Sequence, residues 1–297
     1  MALFSQEALN PGVRKREVLG WAMYDFANSG YTTVVLTAVF GAYFVGEVAG
    51  GADWATFAWT AALAASSVIV MLTMPALGAY ADLLTTAALA GVGPGDVAWA
   101  LTAVLLSNVF FTYGESLIAA FLPELARQHS MGRVSGWGWS FGYFGGMLTL
   151  GLSLAYVIWA QGQGRPASQF VPVTMLITAG IYGVAALATF GLLRERALPQ
   201  AGSAGEAGIR ASMARLRRTW HEARRFRDFT ALLACAVAYQ AGISVVIALA
   251  AVYAEQVLRF RQTQTMLLIL RGSLIPLNGG PFAAELDRRQ GEPRVSA

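Results

Sequence analysis

The sequence predicts an all-α polytopic membrane protein, on three observations. Its 297 residues are 56% hydrophobic and only 13% charged, against about 25% charged in an ordinary soluble domain. Six apolar stretches are each long enough to cross a hydrocarbon core of about 30 Å as a helix rising about 1.5 Å per residue. Basic residues gather in a few connecting loops, which is a topology signal and not a nucleic-acid footprint.

In chain order, residues 1–19 are polar and carry Arg14, Lys15 and Arg16. The first span, Trp21–Phe44, is too long for a signal-peptide core and reads as uncleaved. Five more spans follow: Trp54–Leu77, Val97–Leu122, Val134–Ala160, Val171–Leu193 and Phe229–Ala254. Trp21, Tyr43, Trp54, Trp99, Trp137 and Trp159 stand near span ends, where interfacial aromatic belts form. Turn chemistry separates spans at Gly93-Pro94-Gly95-Asp96 and at 162–166. Cys235, the one cysteine, reads as a small buried hydrophobe. After Ala254 an apolar stretch, Met266–Leu270, is stopped by Arg271 and Pro276, and Ala284–Ala297 reads as a disordered tail.

Loop charge sets the orientation. Arg14–Arg16 place the N-terminus inside, and Val45–Asp53, with acids and no base, lies outside. The loop Arg194–Arg227 carries nine arginines and belongs inside. Six spans would put it outside, together with Arg127 and Arg133. One further crossing between Gly78 and Gly95 corrects every loop, and Ala81–Gly93 is its candidate, although 13 residues is short for a span. The basic loop also holds an amphipathic pattern, Ile209, Met213, Leu216 and Trp220, suited to an anionic membrane face. Of the 21 basic residues only Lys15 is lysine, a bias that fits a GC-rich bacterial genome and hence a bacterial cytoplasmic membrane.

Two spans carry polar stripes. Asp25, Asn28 and Thr32 recur at three and four residues and share a face, as do Asn108, Thr112 and Glu115. A carboxylate in a span costs about 2.5–3.5 kcal/mol near the bilayer centre. Such stripes either line a substrate or proton pathway or hydrogen-bond neighbouring helices. Gly138, Gly142 and Gly146, with Gly145 beside them, form a small-residue stripe that lets helices approach closely. Gly30–Val35 and Gly242–Ile247 form a faint internal repeat. No span holds histidine, and no His/Cys cluster or phosphate-binding Gly-x-x-x-x-Gly-Lys loop occurs, so the sequence predicts no metal, no cofactor and no use of ATP. No nucleophile with a base and an orienting group is visible, which argues against an enzyme.

The stretch WAMYDFANSGYTTVV, with Trp21, Tyr24, Asp25, Asn28 and Ser29, resembles the first-helix signature of a branch of the major facilitator superfamily. That branch is similar to the autophagy-related vacuolar amino-acid effluxers of fungi and their bacterial relatives. Pro75–Asp82, Phe121–Ala126, Arg133–Gly146 and Ile247–Glu255 extend the resemblance, which runs from about residue 17 to 270.

The resemblance implies a six-helix N-terminal bundle with a shortened third helix, plus the start of a second bundle. The domains would then be 1–19, 20–193 (N-terminal bundle), 194–227 (linker), 228–270 (start of the second bundle) and 271–297 (divergent tail). In that fold the first and fourth helices line a central cavity, the faces that carry the two stripes. Gly78 and Asp82 remain from the loop after the second helix, but Leu83 stands where the superfamily has arginine, and the basic run is missing. Tyr239-Gln-Ala-Gly242 lacks an acid common in the seventh helix. The expectation is a truncated secondary transporter that moves a small solute, with amino acids as the candidate, by alternating access. The alternative is a non-transporting membrane remnant or interaction module. Its expected partners are the lipid bilayer, a small-molecule substrate, and a second copy or a separate second half.

Overall fold

The computed structural model describes residues 4–73, 79–194, 196, 217–218, 221–222 and 224–274, and every regular element among them is helical. Helix α1 spans Lys15–Tyr31. It opens where the Arg14 backbone N–H donates to Glu17 Oε1 at 3.0 Å. The same crossing continues through π-helical turns at Thr32–Ala38, a short α2 at Phe40–Tyr43 and further π-helical turns at Phe44–Val48. The break is local: Val39 leaves helical geometry at φ −126°, and the Thr37 hydroxyl bonds back to the Thr32 carbonyl at 2.9 Å. The sequence stripe alone predicts an unbroken helix here.

Next come α3 (Ala55–Thr73), α4 (Ala79–Ala88, extended by a 3-10 turn at Leu89–Gly91), α5 (Val97–Ala120), α6 (Leu122–Leu125), α7 (Met131–Gly162) and α8 (Ala167–Leu192). The last described helices are α9 (Arg227–Gln256) and α10 (Gln262–Leu274). Among the described residues, five segments are long and apolar enough to cross a membrane: Lys15–Val48, Val97–Leu125, Gln128–Gly162, Ala167–Leu192 and Arg227–Gln256. Their outward faces fit lipid. Phe144, Leu148 and Leu152 make an exposed stripe on α7 at four-residue spacing, and Val184 and Leu187, three residues apart, share an exposed face of α8. The chain is an all-α polytopic integral membrane protein.

The first crossing is the bundle's axis, and its contacts fix the helix directions. Trp21 Nε1 donates to the Ile118 carbonyl at 2.9 Å, and Tyr31 stacks on Phe111 at 4.8 Å, so α1 and α5 run antiparallel. Trp21 meets Gly138 and Thr33 meets Gly146, so α7 runs parallel to α1. Gly20 lies against Leu192 while Ala27 packs with Tyr182 and Ala185, so α8 returns antiparallel. The Tyr43 hydroxyl donates to the Val92 carbonyl at 3.3 Å, which puts the end of α4 beside the far end of the first crossing. The turn that follows needs glycine at Gly95, whose φ is +88°.

Burial corrects three sequence expectations. Trp21 and Tyr43 are inside, at 7% and 3% exposure, and mark no interface. Trp54, Trp99 and Trp159, each about half exposed at the end of the bundle away from the N-terminus, do form such a belt. Cys235 is exposed on α9, not buried. Only Ala251, Val252 and Ala254 of α9 are buried, where its later half meets the broken part of the first crossing.

The polar N-terminus is also an ordered part of the fold. Leu9 pairs with Ala126 in an isolated antiparallel bridge. The Arg127 backbone N–H bonds the Ala8 carbonyl at 3.0 Å, its Nε bonds the Leu9 carbonyl at 2.9 Å, and Asn10 Nδ2 bonds the Pro123 carbonyl at 2.9 Å. Phe4, Ala8, Leu9 and Val13 are buried against Leu125 and Val134, and the Phe4 ring stacks on Phe141 at 5.9 Å. Residue 196 ties down the same end: Arg196 pairs with Glu17 at 2.5 Å, and its Nη2 donates to the Gly12 carbonyl at 3.2 Å. The hydrogen bond that Arg196 donates to the Glu17 carboxylate raises its guanidinium above its ordinary value. The amphipathic pattern from Ile209 to Trp220 lies outside the described residues, apart from Arg217 and Arg218.

Candidate functional site

The two polar stripes face different surroundings. On α1, Asp25 is half-buried and its carboxylate lies along the glycine stripe of α7. A Cβ built on Gly142 would sit 3.0 Å from Asp25 Oδ2 and 2.6 Å from Ser29 Oγ, and one on Gly138 would sit 3.6 Å from Oδ2. The glycines bring the two helices close enough for the carboxylate to lie between them.

Asn28, one turn on, is 4% exposed, and its Oδ1 makes no hydrogen bond among the described residues. Thr32 is half-buried; its hydroxyl bonds back to the Asn28 carbonyl at 3.3 Å, where the π-helical turns begin. A π-helical segment in a helix often marks a functional site.

On α5 the stripe divides. Asn108 is buried and donates through Nδ2 to Ser66 Oγ of α3, so it joins helices. Beside it, Ser107 and Thr86 share a buried hydroxyl contact at 3.1 Å that ties α5 to α4. Thr112 is half-buried and bonds back to the Asn108 carbonyl at 2.8 Å. Glu115 is exposed, and it follows Gly114, whose Cβ position is filled by Tyr24, the residue before Asp25. The structure thus brings Asp25, Asn28 and Glu115 together, and gives Asn108 a partner on another helix.

Gly78 lies outside the described residues, and Asp82 falls in the first turn of α4. Gly138, Gly142 and Gly146 all face α1, but the tightest approach is at Gly145, whose Cβ position meets the Phe26 backbone. The four-residue spacing of the stripe gives no hint of it. Sequence reasoning also missed Tyr24. Its ring fills the place of a side chain on Gly114, and its hydroxyl accepts from Tyr182 at 3.2 Å, so one residue joins α1, α5 and α8.

Between Trp21 and Val48, Val97 and Ala120, Val134 and Gly162, and Ala167 and Leu192, the sequence has no arginine, lysine or histidine. The carboxylates therefore meet no fixed cation in these stretches. Among the described residues, no group of three or more His, Cys, Asp or Glu is placed to hold a metal ion.

Known proteins resemble this chain in sequence. The chain is 28% identical over 185 residues to an uncharacterized MFS-type transporter, YxiO, of Bacillus subtilis (strain 168). The alignment takes in 55% of this chain and 43% of that protein, so the chain spans less than half of that relative's length. No solved structure matches. The family profile described as vacuole effluxer Atg22 like matches residues 69–286, which takes in α4 to α10 and runs past residue 270, where the sequence resemblance stops. Asp25 and Asn28 precede the matched region, so their place in the site rests on geometry alone. With α4 to α10 inside a match that covers well over half of its length, the chain belongs to the vacuole effluxer Atg22-like family, a membership that sets it apart from enzymes.

Proposed function

We propose that the chain works as a secondary transporter of the major facilitator type, moving a small solute by alternating access, with amino acids the first solutes to test. In this reading α1 to α8 form the six-helix N-terminal bundle, with α4 as its shortened third member, and α9 begins a second bundle. The N-terminus and the basic linker face the cytoplasm of a bacterial cell, because Arg14–Arg16 and Arg196 share one end of the bundle and basic loops stay inside.

The observation that carries the reading is an acid inside the first crossing. Asp25 is held between closely packed helices, two turns before the π-helical turns that open at Thr32, and Tyr24 beside it packs on Gly114, next to Glu115. Ionisable groups at such depth mark solute or proton pathways, and discontinuous helices recur at transporter sites. Asp25 and Glu115 are the solute or proton contacts, and Asn28, Thr32 and Thr112 line the path. Asn108 reaches it only through its backbone.

The test is counterflow of labelled amino acids into proteoliposomes that hold this chain. Uptake above protein-free vesicles, abolished by Asp25→Asn while the protein stays monodisperse, is the expected result. Equal uptake by Asp25→Asn and the unaltered chain would overturn the assignment of the acid. Uptake no greater than in protein-free vesicles would overturn transport by this chain.

A further inference from the structure

We propose that Asp25 and Asn28 bind the ammonium end of the transported solute, so that the substrate class is a primary or secondary amine carried as its cation. This rests on the transport reading above. Two independent observations carry it. The first is charge: Asp25 and Glu115 directly follow Tyr24 and Gly114, which touch across α1 and α5, and the four stretches around them contain no arginine, lysine or histidine to neutralise them. The second is Asn28. Its side chain is more than nine-tenths buried, and its Oδ1 accepts no hydrogen bond among the described residues. A buried amide oxygen ordinarily has a donor. Residues three apart on a helix have Cβ atoms about 5–6 Å from each other, so Oδ1 and the Asp25 carboxylate present two acceptors on one face.

The complement of two acceptors with excess negative charge is a cation that carries several N–H donors. An alkylammonium fits, since its N–H groups can reach carboxylate and amide oxygens together. A carboxylate or phosphate would find no positive partner there and would be repelled. Exposure falls from Glu115, which is exposed, through half-buried Asp25 to Asn28 at 4%.

The test uses the full chain in nanodiscs and two matched pairs of probes: phenethylamine against 3-phenylpropionate, and leucine methyl ester against N-acetylleucine. Each pair keeps a side chain and exchanges an ammonium for a carboxylate. At least one amine is expected to bind, measured by calorimetry, and neither acid. Asp25→Asn and Asn28→Leu should each weaken amine binding by about tenfold or more. Asn28→Leu separates binding from structure. Its amide oxygen makes no hydrogen bond among the described residues, so the ligand-free protein should melt no lower than the unaltered chain. Acids binding as tightly as amines, amine binding untouched by both variants, or no amine binding would each overturn the proposal. If Asp25-dependent counterflow persists in any of those cases, the cation class falls and the transport reading stands.

Discussion

Replacing single glycines of α7 by alanine tests how the acid comes to lie between two helices. Gly151 has nothing within 4 Å of its Cβ position. Gly151→Ala should therefore show only the gain in helix propensity, up to about 1 kcal/mol. At Gly142 the methyl would meet Ser29 Oγ at 2.6 Å and Asp25 Oδ2 at 3.0 Å. Both are side-chain ends that can rotate, so an overpacking cost of about 1–3 kcal/mol is partly offset by propensity, leaving a net loss of about 0–2 kcal/mol. At Gly145 the methyl would lie 2.7 Å from both the carbonyl carbon and Cα of Phe26, and nearer still to the carbonyl oxygen. Backbone cannot rotate away, so α1 and α7 must move apart along their shared face. That places the loss at or above the top of the overpacking range, roughly 3 kcal/mol. Chemical unfolding in mixed micelles reads the series, with the monodisperse fraction after heating as a second measure. The expected order of stability is Gly151→Ala, then Gly142→Ala, then Gly145→Ala. A Gly145→Ala protein as stable as Gly151→Ala would refute the close packing of α1 on α7, and with it the placement of Asp25.

Three further outcomes follow from the packing. Leu9→Ala should cost about 2–3 kcal/mol, since Leu9 is buried at 1% exposure in the ordered arm; limited proteolysis would then cut before α1, whereas unchanged resistance would show that the arm is not docked. Arg196→Met should cost about 1–3 kcal/mol, because it leaves the Glu17 carboxylate buried and unpaired; the estimate is reduced from that for a fully buried pair because Arg196 is 31% exposed. Adding Glu17→Gln should recover part of the loss, and additive losses would show that the pair contributes nothing. Asn108→Ala and Ser66→Ala should be coupled by about 0.6 kcal/mol and at most about 1.7 kcal/mol in a double-mutant cycle, the range for hydrogen bonds between membrane helices; zero coupling would mean that Asn108 turns elsewhere.

Periodicity and local composition encode the helices and their faces. Apolar length and turn residues located the helices, because every backbone polar group in lipid must be satisfied within its own segment. Spacing of three and four residues put Asp25, Asn28 and Thr32 on one face, and charge counts in the loops gave an orientation to test. Which groups meet depends on packing between distant segments. Trp21 finds Ile118 across 97 positions, and Asn10 finds Glu124 across 114; no local pattern holds that pairing. The arm of residues 4–13 looked like a polar tail because its few apolar residues have no helical period, yet they are buried by the α5–α7 connection. Gly145 outweighs its neighbours because of where the backbone of Phe26 runs. Asn108 and Asn28 stand in similar polar stripes, but one has Ser66 opposite it and the other has an acceptor that meets no donor among the described residues. The difference lies in the neighbouring helix, which is set by packing in three dimensions and not by the order of residues along either stripe.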